Sequence, residues 1–287
     1  MRIFLILVAC GMAVPALAQS NFYYPVSFTA YFQNMSQITP AYVPEEGKAE
    51  FTSGYKSLTG AFRKISSYYF TACRTFRKEN AMAHTLRMQF YNEKEGSYIS
   101  SPRLYGNYAY SLPLNEHTSL YSGIALGLAG TYYSAPTTTQ SSFTLPDGSV
   151  GVGIKSNWFD FGGSLMQVFN SSYSPVVSVV KYARYSHLYL VLQKEWASEW
   201  GVKGQLLWRH LPHLTEELYG TFSLYYAKRM EFGAILKYQG ALSIFTLIGI
   251  SNHEDRLDIL LNYNSPFFGL VPAYQSNLEI GLRYRLE

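Results

Sequence analysis

Six histidines, His84, His117, His187, His210, His213 and His253, are scattered along a chain of 287 residues. Only His210 and His213 stand close together, flanking Pro212, with Glu216 and Glu217 just downstream. Imidazoles and carboxylates at this spacing have the donor types for a divalent metal, or for a Ser/His or Asp/His hydrolytic site at a barrel rim. A proline-centred turn carrying two solvated histidines has the same sequence, and the cluster is too loose to specify ligands. The cysteines, Cys10 and Cys73, form no metal-binding spacing with these histidines. No catalytic, cofactor or metal site is therefore expected. Asp147-Gly148 reads as a turn. Asn34-Met35-Ser36 and Asn170-Ser171-Ser172 fit a glycosylation pattern with nothing else to support its use.

The elements around these residues are more informative. Leu86, Met88 and Phe90 oppose Thr85, Arg87 and Gln89. Val202, Leu206 and Trp208 oppose Lys203, Gln205 and Arg209, and Leu257, Ile259, Leu261 and Tyr263 oppose Asp258, Asn262 and Asn264. Period-2 alternation repeated over many segments predicts strands. We read about fourteen, at residues 48–59, 66–76, 82–93, 103–112, 118–134, 149–156, 159–169, 184–196, 201–211, 217–227, 230–239, 242–252, 255–264 and 277–286. An even count puts the first strand's start and the last strand's end on the periplasmic side. Residues 137–147 read as a polar loop, and 170–183, broken by Pro175, as a lateral segment packed on the barrel. In Leu120–Ala129 small residues (Gly123, Ala125, Gly127, Ala129) share one face. That face leaves room for a plug or crowded lumen, or else marks a tightly curved strand.

The polar faces carry Arg, Lys, Glu and Asp, and the opposite faces carry aromatics. Aromatic residues make up 17% of the chain and charged residues 15%, with mean hydropathy −0.05. Soluble domains average roughly 25% charged residues. Aromatic girdles, an apolar outer face and a wet lumen produce this balance in outer-membrane barrels. A net charge of +4 is too small to argue for nucleic acid. The chain ends on Glu279-Ile280-Gly281-Leu282-Arg283-Tyr284-Arg285-Leu286. Glu279, Gly281, Tyr284 and Leu286 fit the pattern of a barrel-assembly signal: polar residue, glycine and two hydrophobes on a terminal strand.

At the other end, Met1-Arg2, the apolar run Ile3–Val14 and Ala16-Leu17-Ala18 read as a signal peptide covering residues 1–18. Leu7-Val8-Ala9-Cys10 is a weaker lipoprotein-type alternative. Beyond residue 18 no stretch approaches the roughly 20 apolar residues of a membrane helix, so a membrane-embedded chain must be a closed barrel. The predicted organisation is a signal peptide (1–18), an N-terminal segment (19–47) that could enter the lumen, and an antiparallel up-and-down transmembrane β-barrel (48–287).

Thr39-Pro40-Ala41-Tyr42, Tyr105-Gly106-Asn107-Tyr108-Ala109-Tyr110, Gly151-Val152-Gly153-Ile154 and the closing strand resemble segments of the PorP/SprF family. Thr39 departs from that family's usual Asn, and Leu286-Glu287 replaces its aromatic ending. Pro40, Ala41 and Tyr42 carry the family's N-terminal motif. The resemblance implies a non-enzymatic outer-membrane component of the type IX secretion system of Bacteroidota. Its implied partners are outer-membrane lipid, a periplasmic lipoprotein ring and secreted cargo with C-terminal sorting domains, and gliding motility is an associated role. A passive porin or hydrophobic-solute channel is the alternative reading of the same barrel.

Overall fold

A computed structural model describes residues 22–45, 47–77, 82–134, 142–174, 179–196, 199–227, 229–238, 241–252, 255–266 and 276–286. The signal-peptide reading of residues 1–18, Cys10 included, lies outside the described residues, as do His253 and Pro175.

The strands, numbered in chain order, are β1 (Phe22–Tyr23), β2 (Ala49–Leu58), β3 (Ile65–Arg77), β4 (Ala83–Glu95) and β5 (Ile99–Pro113). They continue with β6 (Thr118–Tyr133), β7 (Phe143–Ser156), β8 (Phe159–Met166), β9 (Ser172–Tyr173) and β10 (Val180–Tyr182). The remainder are β11 (Tyr185–Glu195), β12 (Trp200–His210), β13 (Glu217–Tyr226), β14 (Met230–Lys237), β15 (Ala241–Asn252), β16 (Asp255–Pro266) and β17 (Asn277–Leu286). Strands β2–β8 and β11–β17 form a closed barrel in chain order, sealed by antiparallel pairing of β17 with β2 from Leu286↔Ala49 to Asn277↔Leu58. Closure pairs both edges of the sheet, which makes the wall tolerable in hydrocarbon. The all-β up-and-down barrel expected from the alternation is the observed fold, with fourteen wall strands.

Alternation fixes the direction of each side chain. Val152, Phe222, Leu236 and Ile244 are 62%, 59%, 60% and 65% exposed on the outer face. Glu50, Arg87, Arg209, Asp258 and Glu279 point inward and are buried. A water-soluble sandwich would put these faces the other way round, so the burial pattern is that of a barrel in lipid.

The two rims differ. At the rim where β2 starts and β17 ends, successive wall strands are separated by five, four, two, four, three and two residues, Asn157 and Trp158 among them. At the opposite rim the separations are six, three, nine, eighteen, six, three and ten residues, 211–216 among them. Outer-membrane barrels have short periplasmic turns and longer extracellular loops, which makes the first rim periplasmic.

Two sequence expectations are corrected. The chain regains the wall at Phe143, so the end of the expected 137–147 loop belongs to β7, and residues 135–141 lie outside the described residues. Asp147-Gly148 is not a turn but part of β7, paired with Gly127 and Leu126. The Asp147 carboxylate, a turn-former in isolation, is drawn inward by the Tyr105 hydroxyl at 2.6 Å. Within 167–184, β10 pairs with β9 and, in parallel, with β1, which makes a small sheet at the long-loop rim. Strands β9 and β10 belong to the connection between β8 and β11. The Val168 N–H donates to the Gly148 carbonyl, and buried Tyr182 reaches the Thr131 hydroxyl at 2.9 Å.

Candidate functional site

The N-terminal segment enters at the long-loop rim. Phe22 stacks on His213, with centroids 4.0 Å apart, and the Tyr24 hydroxyl donates to the Pro212 carbonyl. From there the chain descends through the barrel, makes a 3₁₀ turn at Tyr31–Gln37 kinked at Asn34, and joins β2 at the periplasmic rim. Phe28 packs on Tyr69 and Tyr91, and Phe32 on Phe245.

Inside a barrel this segment has no strand partner for most of its backbone, so side chains of the wall must satisfy it. Inward-facing polar residues do so along its length. The Glu279 carboxylate accepts from the N–H groups of Thr29 and Ala30 at 2.7 and 2.9 Å, and Lys56 Nζ donates to the Ser27 carbonyl at 2.9 Å. Lys56 also lies 3.4 Å from Glu279, which offsets the cost of burying either charge. Arg209 donates to the Pro25 carbonyl at 3.0 Å, and Gln89 to the Ser36 carbonyl at 2.9 Å. The Ser164 hydroxyl donates to the Ile38 carbonyl, which His187 Nδ1 also approaches at 2.8 Å.

Pro40, Ala41 and Tyr42 form the tightest part of this docking. Asn107 Nδ2 donates to the Pro40 carbonyl at 3.0 Å, and Arg87 Nη2 to the Tyr42 carbonyl at 2.5 Å. The Arg87 guanidinium also lies 5.4 Å from the Tyr42 ring centre. Ala41 is fully buried. The glycine face provides the space. A Cβ on Gly123 would stand 2.7 Å from the Ala41 Cα, and one on Gly151 would stand 3.0 Å from the Pro40 Cδ. On the small-residue face, Gly123 makes room for the lumenal segment, whereas a Cβ on Gly127 would meet Leu104 and Tyr105 of the neighbouring strand.

Nearer the periplasmic rim, Asp258 is completely buried among Arg256, Arg283 and Arg285 at 2.7, 3.1 and 2.5 Å. Of the terminal-strand residues singled out for assembly, Glu279 holds the plug and Gly281 lets Gln33 approach. Tyr284 donates its hydroxyl to Asp255 at 2.8 Å, and the Leu286 carbonyl accepts from the Lys48 N–H at 2.6 Å.

The histidine cluster does not converge. His210 Nδ1 lies 3.0 Å from Glu216, both exposed, while His213 turns to Phe22 and Glu217 points inward to Arg209 and Lys237. Hydrogen bonds from the Trp208 indole and then from His210 hold the Glu216 carboxyl below its ordinary pKa. Among the described residues no group of three or more His, Cys, Asp or Glu is placed to hold a metal. Sequence places Glu279 in the assembly pattern and Asn107 in a family segment, but assigns none of the wall residues to the plug. Their only sequence signal was the charge on faces that alternate with aromatics, which gives direction but not partner.

Solved structures similar to this chain are outer-membrane barrels. The Ralstonia pickettii toluene transporter TbuX superposes with a TM-score of 0.58 at 10% identity, covering 88% of this chain and 93% of that one. The CymD monoaromatic hydrocarbon channel gives 0.54 at 10%, covering 91% and 93%. The Pseudomonas putida toluene transporter TodX gives 0.51 at 9%, covering 88% and 92%. At such identities the likeness establishes the fold. No curated protein sequence matches. The family model for the type IX secretion system membrane protein PorP/SprF matches residues 20–284, a span that takes in the plug motif, the glycine face and the closing strand. This chain is thus a member of the PorP/SprF family of type IX secretion system membrane proteins.

Proposed function

We propose that this barrel is a non-enzymatic, non-conducting docking component of the type IX secretion system, exported by a cleaved leader spanning residues 1–18. Its periplasmic rim engages the lipoprotein ring, and its loop rim faces secreted cargo bearing C-terminal sorting domains, with gliding as a downstream process. The observation that carries this reading is the lumen itself. Residues 24–45 run through it and are clasped at Thr29, Ala30, Ile38, Pro40 and Tyr42 by wall side chains. A passive porin needs a continuous aqueous path, which this packing opposes. A rigid closed cylinder leaves its two rims as working surfaces.

Pulldown from detergent-solubilised membranes, combined with in-frame deletion, tests the proposal. Co-purification of periplasmic lipoproteins, loss of secreted cargo and unchanged solute uptake are expected on this reading. Normal secretion with impaired uptake of a hydrophobic solute would support the channel alternative.

A further inference from the structure

Between the plug and strands β4, β5, β7, β8 and β11 lies a cavity of about 80 Å³, bordered by Arg103, Asp147, Gln167 and Tyr185. On this measure a single water needs about 10–15 Å³, so the space admits a group of several heavy atoms. Arg103 is 5% exposed, with Tyr23, Tyr182 and Tyr91 ring centres at 4.9, 5.5 and 5.8 Å from its guanidinium. The ring faces offset part of its charge but provide no acceptor for its N–H groups in the ring plane of the guanidinium. Its Nε and Nη2 are buried and have no hydrogen-bond partner among the described residues. Gln167, 2% exposed, likewise has neither amide atom paired among them.

The acids of this region are already engaged. Glu93 accepts from the Tyr23 hydroxyl at 2.8 Å, and Asp147 from the Tyr105 hydroxyl and the Gly148 N–H. A buried guanidinium without a hydrogen-bonded anion is costly, and its Nε–Nη2 edge is the fork that takes a carboxylate by two parallel bonds. The Gln167 amide, which borders the same cavity, has both its NH2 group and its carbonyl oxygen still to place. We infer that this cavity is a binding site for a compact carboxylate, held bidentately by Arg103 and oriented by Gln167, with Tyr91, Tyr105 and Tyr185 among its walls. This goes beyond the docking role and does not depend on it.

Calorimetric titration of the full-length protein in detergent with acetate and with propionate, against chloride at matched ionic strength, tests the site. Saturable binding of one carboxylate per barrel is expected. Arg103→Lys keeps the charge but loses the fork, and at least a tenfold weaker affinity is expected. Gln167→Leu, which leaves the arginine in place, should weaken binding several-fold and covers the case in which the Arg103 variant fails to fold. Absence of saturable binding to the wild type overturns the proposal, as does binding that both variants leave unchanged. A high-resolution structure soaked in acetate that shows only water at Arg103 overturns it too.

Discussion

Glu279 joins two tasks in one side chain. It stands on the closing strand, 1% exposed, and accepts from two plug N–H groups while facing Lys56. Glu279→Ala leaves a buried ammonium without its carboxylate and two backbone donors without an acceptor. Breaking a buried pair in this way costs about 3–5 kcal/mol. We expect a large fall in the thermal unfolding temperature in detergent for this variant, with Glu279→Gln between it and wild type. Gly123 makes the complementary case, because its missing side chain is the space that Ala41 occupies. Gly123→Val should overpack the motif and destabilise the docked plug by about 1–3 kcal/mol, the usual range for added core volume. Limited proteolysis within residues 24–45 is the readout. Faster cleavage of the variant, with the barrel band retained on gels, is expected, and equal rates would show that the glycine face is not what seats the plug.

At the scale of elements, connection length sets the orientation. With cysteines introduced on the chain carrying Cys73→Ser, Leu214→Cys in the 211–216 connection should react with a membrane-impermeant maleimide on whole cells. Asn157→Cys, in the 157–158 turn, should react only after lysis. The reverse pattern would invert the barrel. The strands were legible because a wall between lipid and a polar lumen imposes strict alternation, as in Leu86, Met88 and Phe90 against Thr85, Arg87 and Gln89. The course of 22–45 is harder to read, since Pro25, Pro40 and Pro44 interrupt regular elements without saying where the backbone goes. Its partners, such as Glu279 with Thr29, are 250 residues apart in sequence. Pairings of that range are set by closure of the barrel and leave no local pattern. Asp147-Gly148 misled for a related reason: its turn chemistry was overridden by Tyr105, a contact supplied by a different strand. The histidine pair reads as one turn, but His210 ends β12 and only His213 lies in the connection that follows, and their side chains part to different neighbours.

Taken whole, the molecule is a cylinder that is apolar outside and charged inside, with its own N-terminal segment as the filling. The outer belt, from Val152 and Phe222 to Leu236 and Ile244, has to meet lipid or detergent, and transfer of the barrel to plain buffer should aggregate it. The inner charges are compensated by one another and by plug backbone, as at Asp258 and Glu279. Single-channel recording in planar bilayers addresses the sealed lumen most directly, comparing the intact protein with a variant lacking residues 24–42. The intact barrel should give no steady current and the shortened one a stable open conductance. Large steady currents from the intact protein would contradict the account.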